Sequence, residues 1–472
     1  MAGERFLGVT VMPEYVQNEG IDAVLHHLER MGATAVATSP YVMVAADAHT
    51  GSREPPDDAG AGNVRLLDRP LWGKHELFVR TAPAFTPNPG FYKDLVYQPP
   101  PVSELTFKQG PIVHDFIAAA KREGMKVYLQ IQAAIPPGYR VQFGGPIEAD
   151  QPRLPDGSVL TRRLAKNGSL ASPSIRAYTE ALIRDLVFAY PDIDGIRVDW
   201  PEDPPYLFDD IFVDFSEHAR ACARRLGFDF ERMRQDVASL YQFFHGKITN
   251  AHLQAWLEED GGRYHLIRQL ANFPGVSDWL RFKAVVVEEL LEGFRQALTQ
   301  AGGDKELMPN AFPPPFSIVS GMDYARVARL CSAISVKLYT MHWPMILRFY
   351  GEAILQANRD IDENLLVNCL VRWLDIADDD GLPSLADYAY PQPDQVHPVG
   401  LKAQERKLRQ AQRDAGQTPI LALVHPYGRA DDFRRRLQIV AEVARHGLWI
   451  NRYGYLSEEK MQIVADVLRT RS

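Results

Sequence analysis

The feature that most constrains the fold of this 472-residue chain is a repeated alternation of short apolar segments with helical patterns. Eight segments have the length and composition of strands, and helical patterns follow most of them. Such alternation predicts an α/β fold with a parallel inner sheet covered by helices. The eight predicted strands are Phe6–Met12, Ala33–Ser39, Lys126–Gln132, Gly195–Trp200, Glu306–Phe312, Ala333–Thr340, Pro419–Val424 and Leu448–Tyr453.

Eight strands alternating with helices are typical of a (β/α)8 barrel. A doubly wound open sheet would instead need a glycine-rich phosphate turn after an early strand, and the sequence has none. The helix before the fourth strand has a clear start, because Ser172 suits an N-cap and Pro173 suits the first helical position. We therefore predict a TIM-type barrel.

Three long segments interrupt the alternation within this single catalytic barrel, which we predict to span residues 1–472. Residues 45–109 form a Pro/Gly-rich loop excursion after strand two, and residues 203–300 form a helical insertion after strand four. Residues 377–416 form a loop excursion after strand six, before strand seven. Segments that follow strands of a barrel lie at its C-terminal face, so they predict a pocket for a small or capped ligand.

Composition excludes several classes of protein. A formal charge of −8 argues against a general nucleic-acid binder. No charged-then-apolar signal segment and no apolar run of about 18 residues occurs, so we expect no membrane association. Three scattered cysteines indicate neither a disulfide framework nor a cysteine zinc site, which favours a reducing, cytoplasmic setting. Monomer and homo-oligomer both remain open.

The fourth strand carries the most informative polar residues. Alternation places Arg197 and Asp199 on one face, with Ile196, Val198 and Trp200 on the other. A carboxylate at the end of a strand with a guanidinium beneath it would be held ionised, since an opposite charge in contact lowers a carboxyl pKa by about 1–3 units. Such a group could act as a nucleophile or stabilise a developing cation, or the pair could merely fix the strand.

Polar and aromatic side chains gather at the other strand ends, where a barrel of this kind places its site. They are Glu14, Tyr41, Gln130, Gln132, Asn310, Lys337, Tyr339, His342, Trp343, His425, Tyr427, Asn451 and Tyr453. Amides and hydroxyls suit a ligand rich in hydroxyl groups, and tryptophan rings stack on the apolar faces of sugars. No strand presents the histidines and carboxylates of a catalytic metal site, and we predict no metal or cofactor.

Each of these residues also has a structural interpretation. The tyrosines and tryptophans could belong to the core, and His342 and His425 could be ordinary hydrogen-bonded histidines. A lysine inside an apolar strand is unusual unless it is paired or functional, and pairing with Asp199 is the simplest role for Lys337. Asp323 precedes a helical pattern and suits a helix N-terminus.

The segment Asp194–Trp200 resembles the fourth-strand motif Asp-Gly-x-Asp-x-Asp-Trp-Glu of chitinase-type glycoside hydrolases. It also resembles the Gly-x-Arg-x-Asp of the alpha-amylase superfamily, whose aspartate is the nucleophile. The wider pattern is most similar to barrels described as hypothetical glycoside hydrolases, through Asn167, the segment Ser172–Tyr178 and the segment Gly321–Tyr324. The resemblance covers about residues 125–345, is moderately specific for the superfamily but not for a substrate, and implies a (β/α)8 glycosidase.

Two departures limit what the resemblance carries over. Against the chitinase-type motif, Arg197 replaces an aspartate and Pro201 stands in the place of the catalytic glutamate. Against the amylase-type pattern, strand five ends in Asn310 rather than an acid, and strand three lacks the Asp-x-x-x-Asn-His motif. Asp199 is therefore the one family catalytic position that is retained.

Glycoside hydrolysis normally uses two carboxyl groups. We predict that Asp199 is the nucleophile or base and that Glu202, three residues further on, is the general acid. Glu14 and Asp323 are reserve candidates for the acid. The implied substrate is a carbohydrate. We predict that it is bound by Arg197, Trp200 and the residues listed above at the strand ends, with Trp343 stacking on a sugar ring.

Two alternatives belong to other classes. Lys337 on strand six stands where Schiff-base aldolases of this fold carry their lysine, which would make the chain a lyase. The substitutions Pro201 and Asn310 are also consistent with a carbohydrate-binding barrel that has lost hydrolytic activity. Trapping with borohydride would separate the first from a glycosidase, and binding without cleavage would identify the second.

Overall fold

The structure is a computed structural model, which describes residues 6–56, 65–259, 261–379 and 381–469. Its strands are β1 (Leu7–Thr10), β2 (Ala35–Thr38), β3 (Tyr41–Ala46), β4 (Ser52–Glu54), β5 (Leu77–Pro83), β6 (Lys126–Gln132), β7 (Gly195–Asp199), β8 (Glu306–Ala311), β9 (Ile334–Leu338), β10 (Ile420–Val424) and β11 (Leu448–Asn451).

Its helices in the first part of the chain are α1 (Pro13–Glu19), α2 (Ile21–Met31), α3 (Glu104–Gln109), α4 (Pro111–Arg122) and α5 (Pro173–Ala189). A helical segment follows β7, with α6 (Glu217–Leu226), α7 (Phe230–Phe244), α8 (Asn250–Leu257), α9 (Gly262–Ala271) and α10 (Pro274–Gly302). The remaining helices are α11 (Phe316–Ser320), α12 (Tyr324–Val327), α13 (His342–Ala357), α14 (Glu363–Leu374), α15 (Leu401–Asp414), α16 (Ala430–Val443) and α17 (Glu458–Arg469).

Parallel strands close into an eight-stranded barrel in the order β1-β11-β10-β9-β8-β7-β6-β2. The predicted (β/α)8 fold is confirmed. Each predicted strand contains one barrel strand, and the bounds differ by at most two residues at either end. Barrel strands three, four, five and six are thus β6, β7, β8 and β9.

The barrel interior is filled by side chains from alternate positions of its strands. Tyr128, Met308 and Trp449 lie there with alanines of β2, leucines of β10 and the alanine directly before β9. The Trp449 indole occupies so much of this space that a Cβ on Gly8 would lie 2.2 Å from the ring, which accounts for a glycine at that position of β1. The interior is a packed core, so a ligand can only bind at its end.

The three interrupting segments differ in structure. The first contains an antiparallel sheet in the order β3-β5-β4, and the second contains α6 to α10. The third includes the 14-residue helix α15, so the prediction of a loop over 377–416 is wrong for Leu401–Asp414. The helix was missed because it is mostly polar and presents few large apolar side chains, with Ala403, Leu408 and Ala411 on its buried side.

The start of α5 follows the prediction. The Ser172 hydroxyl accepts a hydrogen bond from the Ile175 N–H, and Pro173 occupies the first turn. This helix leads into β7, the fourth barrel strand. The strand with the motif therefore lies where the sequence analysis predicted it.

Candidate active site

The C-terminal ends of β7 and β9 are joined by an ion pair. Lys337 Nζ lies 2.7 Å from Asp199 Oδ1. The Lys337 side chain is 2% exposed, whereas that of Asp199 is 18% exposed and reaches the open end of the barrel. The ring centroids of Trp200 and Phe312 lie 5.3 and 4.9 Å from the ammonium. The predicted pairing of Lys337 with Asp199 is confirmed.

Arg197 lies one layer below this pair, as predicted, but it has different partners. Its guanidinium donates to Asn310 Oδ1 at 2.6 Å and lies 3.5 Å from the centre of the Trp449 ring. Burial lowers the pKa of Arg197 to about 9, which leaves the group charged at neutral pH. The expectation that Arg197 braces Asp199 is corrected: the longer Lys337 side chain reaches the carboxylate, and Arg197 is held by Asn310 and the indole.

Trp200 does not continue the alternation of the strand. Its φ of +49° lies in the left-handed region, so the chain turns directly after Asp199, and Pro201 follows. The turn brings the indole within 5.3 Å of the Lys337 ammonium and edge-on to Tyr206. The prediction that Trp200 shares a face with Ile196 and Val198 is therefore wrong, because the strand ends one residue earlier than its alternating pattern.

Glu202, the predicted general acid, lies buried below the turn. Its Oε1 accepts from the Phe312 N–H at 2.6 Å, and its Oε2 is in a short hydrogen bond with the Ser320 hydroxyl. Burial raises the pKa of Glu202 to about 7, against the opposing effect of the Lys337 charge. The Ser320 hydroxyl also lies within reach of the Ser317 carbonyl, so a protonated Glu202 can donate to Ser320 while Ser320 donates onward. Glu202 lies close enough to Lys337 and Asp199 for both charges to affect its pKa.

The two glutamines of β6 face the barrel interior at different depths. Gln130 Oε1 accepts from the Asn310 amide at 3.3 Å, which links it to Arg197 through Asn310. Gln132 lies one layer higher, and its Cα is the register partner of Asp199. Its buried Oε1 has no hydrogen-bond partner among the described residues. The lower glutamine is part of the core network, and the upper one is free to accept.

A second ionic cluster is formed by residues that follow barrel strands one, two, three and eight. Glu54 of β4 accepts from Arg140 and Arg452, at 2.5 and 2.6 Å. Burial disfavours the charged form of Glu54, but the two guanidiniums outweigh it and hold its pKa at about 2. Glu14 Oε2 accepts from the Tyr41 hydroxyl at 2.9 Å, and Glu14 Oε1 lies 3.5 Å from Arg140. Burial raises the pKa of Glu14, which Arg140 opposes.

Glu54, Arg140 and Arg452 were missed by the sequence analysis. They come from three distant segments, and none lies in a motif or on the polar side of a predicted strand. Glu14 and Tyr41 were predicted as substrate-binding residues, and the structure places both in this buried cluster instead of beside Asp199. Any role they have in binding remains a prediction.

Aromatic and imidazole side chains line the ends of β9 and β10. The Tyr339 ring lies edge-on to those of His342 and His425, at 5.5 and 5.3 Å, and its hydroxyl accepts from the Asn451 amide at 2.6 Å. Burial lowers the pKa of His425 well below its usual range, and the nearby Arg65 adds to this. These predicted residues lie together, and Tyr427 lies beside them with its hydroxyl donating to the Pro391 carbonyl.

Two further candidates have structural roles. Trp343 is buried in α13, with the Lys407 ammonium of α15 5.1 Å from its ring centre, so its predicted stacking on a sugar is corrected. Its position in the first turn of α13 directs the ring toward the helix layer. Asp323 is the N-cap of α12 and accepts from the N–H groups of Ala325 and Arg326, in agreement with its structural interpretation.

No group of three or more His, Cys, Asp or Glu side chains in residues 6–56, 65–259, 261–379 and 381–469 could hold a metal ion. In the same ranges, none of the helices has the length and apolar character needed to cross a bilayer.

Comparison with known proteins shows similarity at the level of the fold. No family model matches the chain, and no curated protein matches it significantly. The glycoside hydrolase domain of PgaB (BpsB) from Bordetella bronchiseptica superposes with a TM-score of 0.50 and 11% identity, over 99% of each chain. β-Galactosidases from the psychrophilic Marinomonas ef1 and from the Antarctic haloarchaeon Halorubrum lacusprofundi each give a TM-score of 0.51 at 11% identity, over 98% of this chain.

The chain spans 59% and 57% of the two β-galactosidase chains, which is less than two thirds of their length. The resemblance to glycoside-hydrolase-like barrels is confirmed as a likeness of architecture, because the neighbours are glycoside hydrolases with the same type of barrel. At 11% identity the likeness shows the fold alone, so the reaction must be argued from the site.

Proposed function

We propose that this chain is a glycosidase acting on a small or capped carbohydrate. The observation that carries the proposal is the Asp199–Lys337 ion pair, a partly exposed carboxylate at the open end of the barrel with a buried ammonium as its partner. In barrels of this type the C-terminal strand ends are where catalysis occurs. The surrounding amides, imidazoles and aromatic rings suit a ligand with many hydroxyl groups.

Asp199 is the proposed nucleophile or base. Its contacts with Lys337 and with the Trp200 N–H both use Oδ1, which leaves Oδ2 for a substrate or a water molecule. A carboxylate facing the anomeric carbon stabilises the oxocarbenium-like transition state, or attacks it to form a covalent intermediate. Lys337 fixes the orientation of this carboxylate from the opposite side.

Glu202 is the proposed proton donor. A pKa of about 7 suits a general acid that works near neutral pH. Both of its oxygens, however, are occupied by the Phe312 N–H and the Ser320 hydroxyl, and the side chain is fully buried. Proton delivery from Glu202 to a leaving group therefore requires a shift of the turn that follows Trp200.

The shape of the rim supports a small or capped substrate. Two of the interrupting segments contribute Glu54 and Tyr206 to the same end of the barrel as Asp199, and the loop after strand three contributes Arg140. Side chains from these insertions occupy space that an open groove would need. A ligand approaching Asp199 would be enclosed on several sides.

The test is hydrolysis of a panel of 4-nitrophenyl glycosides by the full chain and by Asp199→Asn. We expect the variant to lose at least about 10³-fold in kcat/KM, because a group that acts on the reacting carbon is removed. Circular dichroism should show an unchanged fold. Asp323→Asn, at an exposed helix N-cap, is the matched control and should keep its activity.

The burial of Glu202 favours one rival, a carbohydrate-binding barrel without hydrolytic activity. Activated aryl glycosides need little help from an acid, so a hydrolase should cleave them even when Glu202 is replaced. Binding of these glycosides by the unmodified chain without release of nitrophenolate would support the binding protein. A borohydride-trapped adduct on the peptide that contains Lys337 would instead support a Schiff-base lyase.

A further inference from the structure

The two glutamines of β6 differ in their hydrogen bonding. Gln132 is 7% exposed, and its Oε1 is buried without a hydrogen-bond donor among the described residues. Gln130, two residues earlier on the same strand and the same face, has its Oε1 paired with Asn310. Buried side-chain carbonyls are nearly always paired, so an unpaired one at the open end of a barrel points to a missing donor.

The position of Gln132 relative to Asp199 is fixed by the barrel itself. The two residues are register partners on adjacent parallel strands, and neighbouring strands lie about 4.8 Å apart. Both side chains point to the interior side. A backbone hydrogen bond of 3.0 Å from the Ala133 N–H to the Asp199 carbonyl extends the pairing of the two strands past Gln132. The amide of Gln132 and the carboxylate of Asp199 therefore lie on adjacent strands at the same end of the barrel.

Spacing of this kind matches two neighbouring positions of one sugar ring. A ring placed with its anomeric carbon against Asp199 Oδ2 brings the next ring carbon toward the adjacent strand. The hydroxyl group on that carbon can donate to Gln132 Oε1, while the carboxylate remains directed at the anomeric carbon. Lys337 forms its ion pair with the other oxygen of Asp199, Oδ1.

We propose that Gln132 is a specificity-determining residue that accepts a hydrogen bond from the hydroxyl group next to the anomeric carbon. This inference rests on the proposed function, and it names the substrate class as sugars with a free hydroxyl at that ring position. Sugars that lack it leave the Gln132 carbonyl buried and unpaired. They are bound more weakly for that reason.

The experiment compares the unmodified chain with Gln132→Met, which keeps the size of the side chain and removes its polar atoms. The probes are the methyl glycosides of glucose and galactose, in both anomers, and their 2-deoxy counterparts. These probes have poor leaving groups, so dissociation constants can be measured by calorimetry without turnover. We expect the unmodified chain to prefer a parent glycoside over its 2-deoxy form by about 10- to 100-fold, and the variant to lose that preference.

Thermal unfolding provides a readout that separates binding from structure. Since Gln132 Oε1 makes no hydrogen bond with any residue that the structure describes, Gln132→Met should unfold at the same temperature as the unmodified chain or higher. Thr38→Val is the matched control, because the Thr38 hydroxyl is also buried and unpaired among the described residues but Thr38 alternates with Ala37, which faces the barrel interior. It should keep both its stability and the preference for the parent sugar.

The inference is overturned if no probe binds, if the unmodified chain binds parent and 2-deoxy sugars equally, if the preference survives in Gln132→Met, or if that variant loses stability. Its failure is distinguishable from failure of the proposed function. A chain that prefers the parent sugar through Gln132 but cleaves no glycoside is a binding protein. A chain that cleaves glycosides but does not prefer the parent sugar over its 2-deoxy form is a hydrolase that recognises another part of the sugar.

Discussion

Two groups of buried charges lie at the same end of the barrel, and they are built differently. In the first, Asp199 has one cationic partner, Lys337, and remains partly exposed. In the second, Glu54 has two cationic partners, Arg140 and Arg452, and is fully buried. The Gln142 amide donates to Glu54 as well, at 2.9 Å.

The difference lies in how many hydrogen bonds each carboxylate has left to make. Glu54 is saturated by donors, which is the arrangement expected of a group that holds loops together. The contacts of Asp199 with the described residues use Oδ1, which leaves Oδ2 for a ligand. The fully paired Glu54 thus indicates a structural role for its side of the barrel end. The partly exposed Asp199, which can accept further hydrogen bonds, indicates a ligand-binding role for the other side.

Glu54→Gln tests this contrast with the largest expected effect on stability. The substitution removes the ion pairs that Glu54 makes with the buried Arg140 and Arg452, so we expect a loss of about 3–5 kcal/mol in the free energy of unfolding at pH 7. Asp199→Asn should cost far less. Chemical denaturation of the two variants at equal ionic strength measures the difference.

The pH dependence of the Glu54 effect has a definite sign. The pKa of Glu54 is depressed to about 2 in the folded state, from an ordinary value of 4.5. The stabilisation that its charge gives is therefore fully present above pH 4.5 and is lost as the pH falls toward 2. The stability gap between the unmodified chain and Glu54→Gln should therefore narrow at low pH. A gap that is already small at pH 7 would contradict the structural role of this cluster.

Glu202→Gln is expected to change the free energy of unfolding by an intermediate amount, and to raise it where Glu54→Gln lowers it. The folded-state pKa of Glu202 is raised to about 7, so its stabilising contribution is present below pH 4.5 and is lost as the pH rises through 7. A neutral amide can accept from Phe312 and donate to Ser320 at every pH. We expect the variant to be more stable than the unmodified chain at pH 8, by up to about 3 kcal/mol, and to show no advantage at pH 4.5.

Unfolding curves across this pH range measure the effect, and Asp323→Asn, at an exposed cap, is a control whose difference from the unmodified chain should not follow this profile. A variant that is less stable than the unmodified chain at pH 8 would show that charged Glu202 is well compensated by Lys337. That result would contradict the proposal that Glu202 is the proton donor of the reaction.

The two charge clusters also differ in how far the sequence predicted them. Asp199 and Lys337 could be found because each follows the two-residue periodicity of a strand and lies at its end, where a barrel places its site. Periodicity gave the facing direction of Arg197 correctly but not its partner, since it does not tell how far a neighbouring side chain reaches. Trp200 was placed on the wrong face because a left-handed residue ends the strand without changing the pattern of residue types.

Glu54, Arg140 and Arg452 could not be predicted from any local pattern. Their contacts join segments that lie 86 and 398 residues apart along the chain. Arg452 lies within predicted strand eight, but on the side opposite Asn451 and Tyr453. The orientation of Glu202 has the same cause, because its partners Phe312 and Ser320 are more than 100 residues away. Long-range packing, which decides these positions, leaves no periodic signal.

Lys337→Met sharpens the contrast with the smallest expected effect. The substitution removes one buried cation, and the carboxylate it leaves behind is partly hydrated, so we expect a cost of about 1 kcal/mol or less in the free energy of unfolding. Methionine also fits the aromatic contacts with Trp200 and Phe312.

The same change, Lys337→Met, removes the charge that lowers the pKa of Glu202, so the pKa of Glu202 should rise further above its usual range. Titration of Glu202 by carbon-detected NMR measures this shift, and Lys407→Met, which removes a buried lysine of α15, is the matched control. A loss as large as that of Glu54→Gln would mean that Asp199 depends on its cation as fully as Glu54 does, and the distinction between the two halves of the rim would fail.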